Sequence, residues 1–146
     1  MRVCGALVCL LGLTGCISGR PPAVEVAGAE VVETTDEAAR VEVSLTLRNP
    51  NAVALPLPEA SYSVAVPGVG SYASVELPAR VLPPNGEQSV RLPAVITLDN
   101  VGDLRGRAWR ASGNVTYRPE NAVRRFLTES GVPLPVVLFS GGGRLE

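Results

Sequence analysis

Over residues 41–48 apolar and polar positions alternate without error, with Val41, Val43, Leu45 and Leu47 on one parity and Glu42, Ser44, Thr46 and Arg48 on the other. A period of two puts the four aliphatic side chains on one face of a strand and the polar ones toward water. Residues 61–66 repeat the pattern with Tyr62, Val64 and Val66. After a Pro67-Gly68-Val69-Gly70 turn, residues 72–77 are expected to return as the second arm of a hairpin, with Ala73, Val75 and Leu77 facing inward. Residues 89–98 place Val90, Leu92, Ala94 and Ile96 on one face and Pro93 on the other. Proline cannot donate to a ladder, so this strand is expected at a sheet edge or a bulge. Residues 24–33 are rich in Val but lose their alternation at Gly28, where a bulge is expected. Short runs at 114–118 and 134–139 bring the total to about seven strands.

The helical signals are weaker. Val101, Leu104 and Ala108 follow Asn100, an N-cap residue type, at helical spacing. Gly102 and Gly106 each cost a helix about 1 kcal/mol relative to Ala, so helix and loop stay open there. Over 121–129 Val123, Phe126 and Leu127 share one stripe, and Gly131 stands beyond the end, which predicts a helical turn or two. Short strands with turn chemistry every eight to fifteen residues and this little helix predict an all-β fold. Its expected form is an antiparallel two-sheet sandwich, fibronectin- or immunoglobulin-like, with at most one or two short helices.

The first sixteen residues have a different character. Arg2 precedes an uncharged, mostly apolar run over 3–13, and small Gly15 precedes Cys16. This is the pattern of an export signal. Eleven residues fall short of the roughly 20 that a helix needs to cross a bilayer, so a permanent transmembrane anchor is not expected. Leu13-Thr14-Gly15-Cys16 resembles the bacterial lipobox, which implies removal of residues 1–15 and a diacylglycerol on the Cys16 thiol. The cysteine usage agrees: Cys4, Cys9 and Cys16 all fall in this segment, so an exported chain would keep one thiol and form no disulfide. Each buried CH₂ contributes about 0.8 kcal/mol and a single acyl chain holds only marginally, so two or three chains on one cysteine make a stable anchor. The aperiodic residues 16–22, which include Pro21-Pro22, are expected to be a tether of roughly 20 Å at about 3.3 Å per residue. Domain boundaries are then expected at 23 and 140, with residues 141–146, opened by Gly141-Gly142-Gly143, as a flexible tail.

Composition narrows the chemistry. The chain of 146 residues has 13 Arg, no Lys, 14 Asp plus Glu and no His. The near-neutral balance excludes a basic nucleic-acid footprint, and the absence of His excludes a His-based triad, a His-ligated metal or a His general base. Ser112, Ser130 and Ser140 therefore lack a base that could make them nucleophiles. Asp36, Glu37, Asp99, Asp103, Glu120 and Glu129 lie at turns or on polar stretches and are expected to be solvated. Asp99 and Asp103 lack the further oxygen ligands and the Gly-x₅-Glu frame of a calcium loop, so no metal is expected. Arg105, Arg107 and Arg110, with Trp109 among them, form the densest basic cluster. Guanidinium pairs bidentately with phosphate, which makes these three the candidate anionic contact, while the sole Trp is expected in the core.

At Leu47-Arg48-Asn49-Pro50-Asn51 the alternating strand closes on Asn-Pro-Asn, followed by Leu55-Pro56-Leu57-Pro58, a Tyr62-bearing strand and a later Leu82-Pro83-Pro84-Asn85-Gly86 break. This arrangement resembles the water-stress and hypersensitive-response (WHy) domain of late embryogenesis abundant type 2 proteins, over roughly residues 23–139. The physical need for Asn49, Pro50 and Asn51 is local. Pro50 drives Asn49 toward extended geometry and stops the ladder, and the two amides can bond backbone groups that lose their strand partners. The resemblance implies a fibronectin-like sandwich and a link to desiccation or stress tolerance. The expectation is a non-enzymatic, membrane-anchored envelope lipoprotein with no cofactor beyond the acyl chains on Cys16. Ile17, where some lipoproteins retained at the inner membrane carry Asp, favours the periplasmic face of an outer membrane if the cell has two membranes. Partners would be the membrane and a stress-labile client, with a binding module for an envelope protein or glycan as the alternative role.

Overall fold

The computed structural model describes residues 19–76, 80–99, 102–119 and 122–146. The expected signal segment and Cys16 lie outside the described residues, as do Leu77, Asn100 and Glu120. Nine strands and one helix follow in chain order among the described residues: β1 (Ala23–Thr34), β2 (Ala38–Arg48), β3 (Leu55–Leu57), β4 (Glu59–Val66), β5 (Gly70–Glu76), β6 (Arg80–Leu82), β7 (Glu87–Thr97), β8 (Ala108–Thr116), α1 (Ala122–Glu129) and β9 (Val136–Arg144). They make a three-stranded sheet β1-β2-β7, a four-stranded sheet β5-β4-β8-β9 and a small ribbon β3-β6, all antiparallel. The architecture is the all-β sandwich with a short helix that the alternation predicts.

The two large sheets face each other through the residues of one parity. Val41, Val43, Leu45 and Leu47 of β2 and Val90, Leu92, Ala94 and Ile96 of β7 are buried against Tyr62, Val64 and Val66 of β4 and Trp109, Ala111 and Val115 of β8. Burying a Val or Leu side chain stabilises by roughly 1.5–3 kcal/mol, so this layer is the main source of cohesion. Tyr62 carries its hydroxyl across the core and donates to the Pro93 carbonyl of β7. β7 is an edge strand, as Pro93 requires, and β1 has its register shift between Val26 and Gly28.

Several expectations are corrected. β5 buries the opposite face from the one predicted. Tyr72 stands across from Val64 in the ladder, and directly opposed residues share a face, so Tyr72 turns inward while Ala73 and Val75 point out, Val75 being 58% exposed. No helix forms over the described part of 100–108, because Gly102 and Gly106 have φ of 73° and 77°, the left-handed region. β8 begins at Ala108 instead, and Arg118 lies past its end. β3 and β6 leave no trace in the alternation, since Pro56 inside so short a run is tolerated only in an edge ribbon.

Gly141-Gly142-Gly143 is not a flexible tail. It belongs to β9, paired with Ala111, Arg110 and Trp109. A Cβ on Gly141 would lie 2.5 Å from Val26 Cβ, and one on Gly142 would lie 2.6 Å from the Trp109 carbonyl oxygen, so the strand passes there only without side chains. Beyond it Leu145 is buried, the Glu146 N–H donates to Ala29 O (3.2 Å) and the Val31 N–H donates to Glu146 O (3.0 Å). The C-terminal segment thus joins the edge of β1 and closes one side of the sandwich.

Candidate functional site

Strand directions give the sandwich two poles. β2 ends, β4 begins, β7 begins and β8 ends at the pole that carries Asn49 and Asn51; the turns at 35–37 and 67–69 and residues 102–107 occupy the other. At the first pole Asn49 is fully buried. Its Nδ2 donates to Val53 O (2.8 Å), Pro83 O (3.0 Å) and, longer, Leu82 O (3.3 Å). Its Oδ1 accepts from the Asn51 N–H (3.0 Å) and from Asn51 Nδ2 (2.9 Å). These partners fix the amide orientation, because the flipped rotamer would set donors against donors and an oxygen against carbonyls. The Asn49 N–H donates to Gly86 O and the Asn85 N–H to Asn51 O, so the β2–β3 and β6–β7 connections are laced together. Asn85 holds a φ of 50°, a conformation Asn tolerates better than most residues.

Asn51 then reaches a third segment. Its Oδ1 accepts from the Arg20 N–H (2.8 Å) and its Nδ2 donates to Arg20 O (2.8 Å). The side-chain amide imitates a neighbouring strand and holds the backbone of Arg20 as a ladder would. Pro22 is buried two residues on. The expected tether through residue 22 therefore ends earlier, at Arg20, and the chain leaves the domain beside Asn51. Sequence reasoning identifies the amide corner but misses Arg20 as its partner; the aperiodic Gly19-Arg20-Pro21-Pro22 carries no signal of it.

The three arginines of the predicted anionic contact lie at the opposite pole and do not converge. Arg105 pairs with Asp103 (Nη1 to Oδ2, 3.4 Å), both exposed. The Arg105 backbone N–H also donates to Asp103 Oδ1 (3.0 Å), and this bond, helped by the guanidinium charge, holds the Asp103 carboxyl below its ordinary value. The Arg107 N–H donates to Leu104 O and its carbonyl accepts from the Leu145 N–H, and Arg110 points outward from β8 beside Ala65 and Gly142. Trp109 is buried as expected, with its Nε1 bonded to no group among the described residues.

The outer face of the four-stranded sheet has small polar side chains at its centre, with Val75 and Leu138 beside them. Ser61, Ser63, Ala73, Ser112 and Asn114 line an open groove of about 620 Å³, and Asn114 Nδ2 donates to Ser61 Oγ (3.0 Å) across it. Ser140 extends the same surface. No base stands within this set, so its chemistry is hydrogen bonding. Among the described residues no three Asp, Glu or Cys gather as metal ligands, and no helix is long and apolar enough to cross a membrane.

Comparison with known proteins yields the fold. No family model matches the chain and no curated protein matches its sequence. Among solved structures, the solution structure of an Arabidopsis thaliana protein superposes with a TM-score of 0.58 at 13% identity, covering 92% of this chain and 88% of that one. A solution structure described as a candidate late embryogenesis abundant (LEA) protein gives 0.57 at 12% identity over 84% of this chain and 69% of that one. An X-ray structure of a structural-genomics target gives 0.57 at 14% identity over 85% of each. The chain has an LEA-like, WHy-like fold.

Proposed function

We propose that the protein is a non-enzymatic lipoprotein, anchored in the cell envelope by acyl chains on Cys16, whose LEA-like sandwich works at the membrane surface in stress or desiccation. The observation that carries this is the Asn51 clamp. It fixes Arg20, four residues after Cys16, to one pole of the sandwich, so a lipid at Cys16 would hold that pole close to the bilayer. At about 3.6 Å per residue the span from Cys16 to Arg20 reaches at most roughly 14 Å. The LEA-like fold supports the stress-related part. The lack of His and the scattered carboxylates support a role without catalysis. A folded sandwich cannot protect by being disordered, so protection would come from binding a membrane or a partly unfolded client. The periplasmic face of an outer membrane is the proposed location in a cell with two membranes.

The native protein, purified from its source, should begin at Cys16, carry diacylglycerol there by mass spectrometry, and sediment with membranes. A protein that starts elsewhere, carries no fatty acid and stays in the aqueous fraction overturns the anchoring. Heating a client enzyme with and without the protein tests the protective half, and equal aggregation in both samples counts against it. A second role, as a binding module for an envelope protein or glycan, draws on the open serine-lined groove. A stoichiometric crosslinked partner would favour it.

A further inference from the structure

Seven of the nine large hydrophobic side chains exposed among the described residues lie in the half of the sandwich nearest Asn51. Val53 follows the Asn-Pro-Asn corner, Val81 pairs with Pro56, and Val75 and Leu138 stand opposite Ser61 and Asn114 near the same ends of β4 and β8. Phe126 on α1, Val132 after it and Val136 at the start of β9 complete the set, because β8 ends and β9 begins at this pole. Phe126 is the largest of them and is 67% exposed. α1 itself is firmly ended: the Val132 N–H donates to Leu127 O (2.9 Å), the Gly131 N–H donates to Thr128 O (3.0 Å), and Gly131 has a φ of 84°. This is the paired closure of a Schellman cap. So Phe126 is displayed on an ordered element.

The segment 118–129 has three Arg and two Glu. The far pole carries Glu33, Asp36, Glu37, Asp99, Asp103 and Glu146 against Arg40, Arg105, Arg107, Arg110 and Arg144. The net positive charge of residues 118–129 favours an anionic surface at this connection. Exposed apolar side chains with Arg nearby in the chain are how a protein seats itself in the interfacial layer of a bilayer.

We infer that this pole is a second membrane contact, in which α1 sets Phe126 into the headgroup and acyl boundary of an anionic phospholipid surface beside the lipid-bearing chain. The occupant is lipid rather than a protein because Arg20, which the Asn51 amide holds at this pole, stands only four residues after Cys16 in the chain. The inference rests on the acylation of Cys16 proposed above. The loop with Arg105 and Arg107, and Arg110 of β8, lie at the opposite pole and would face away from the bilayer.

The test uses the full-length acylated protein with Phe126→Trp, purified from membranes and reconstituted in vesicles of phosphatidylglycerol with brominated acyl chains. Trp109, buried in the core, serves in the unsubstituted protein as the unquenched reference and reports that the variant is folded. Bromine should lower the emission of the indole introduced at position 126 at least ~2-fold, with a blue shift, and an indole placed instead at position 107 by Arg107→Trp should stay unquenched. If the protein floats with the vesicles but the indole at position 126 is no more quenched than the one at position 107, the docking is wrong and the anchor stands. If position 126 is shielded only in a crosslinked complex with an envelope protein or a second copy, the pole belongs to a protein and the docking is equally wrong. A chain without fatty acid that stays in water removes both the anchor and the docking.

Discussion

The two poles of the sandwich solve the problem of unpaired polar groups in opposite ways. At one, Asn49 and Asn51 are buried and the hydrogen-bonding atoms of their side-chain amides are all used, tying three separate stretches of chain together. At the other, Asp103 and Arg105 meet at the surface through a short ion pair and one backbone hydrogen bond. Uncharged amides inside the protein make a rigid joint, whereas charged groups in water make a weak one, since an exposed ion pair is worth about 0–1 kcal/mol. The charge cluster is the more conspicuous feature in the sequence, yet the amide corner determines where the chain is held.

Removing the joint should have the largest effect. Asn49→Ala leaves the carbonyl of Leu82 and the N–H of Asn51 without their side-chain partner in a buried setting, and the carbonyls of Val53 and Pro83 in a part-buried one. Each unpaired buried group costs roughly 1–3 kcal/mol, and partial relaxation leaves an expected loss of about 3 kcal/mol. Thermal unfolding should shift down by roughly 10 °C for a domain of this size. Asn49→Asp keeps the acceptor but loses both donors and buries a charge, so it should not rescue. A midpoint unchanged for Asn49→Ala would mean that the corner is packing rather than bonding.

Gly141→Ala is next. It tests closure of the sandwich between the poles, where β9 crosses β1. The added methyl would lie 2.5 Å from Val26 Cβ, a distance real Cβ contacts essentially never show, and relieving it should cost about 2 kcal/mol in urea unfolding. Shortening the neighbour with Val26→Ala should recover part of that loss, giving a coupling energy of about 1 kcal/mol. Simple additivity would show that β9 moves away freely at this point.

The same three glycines show why legibility was uneven. In β2 and β7 burial follows the parity of the sequence, because both strands present one face to the core along their whole length, and the all-β fold could be read from them. In β5 both parities carry apolar residues, Tyr72 on one and Ala73 and Val75 on the other, and only the ladder to β4 decides between them. Gly141-Gly142-Gly143 has no side chains from which to read a period, and its place is set by Val26 and Trp109, which are distant in sequence. Asn49-Pro50-Asn51 was legible as a corner because proline and the amides act locally. Its hold on Arg20 was not, since that depends on two segments 31 residues apart.

Asn51→Ala separates the joint's two jobs. The lacing between β2–β3 and β6–β7 keeps its backbone hydrogen bonds and the Asn49 donors, so global stability should fall by only about 1 kcal/mol. Arg20 loses both bonds that hold its backbone, and its amide should exchange with solvent at least ~10-fold faster than in the unsubstituted protein. Hydrogen exchange that leaves Arg20 as protected as before would show that the buried Pro22, rather than the amide, fixes the chain's exit.

The far pole offers the smallest effect and the sharpest contrast in kind. The Asp103 carboxyl is held below its ordinary value of 3.8, chiefly by the backbone N–H of Arg105. A depressed carboxyl contributes stability above its unfolded pKa and loses it as the pH falls through the folded value, so the window lies on the acid side of the ordinary carboxylate range. Because both groups are exposed, the effect belongs in a titration curve rather than in an unfolding midpoint. An NMR titration should place the Asp103 midpoint below that of a free aspartate. Arg105→Gln removes the guanidinium and keeps the backbone N–H, so it should return only the smaller part of the shift, and added salt should act in the same limited way. Full return to the ordinary value in Arg105→Gln would make charge the main cause and the loop an ion-pair site. Retention of most of the shift would mean that even where the sequence looks most electrostatic, the backbone hydrogen bond is the stronger link.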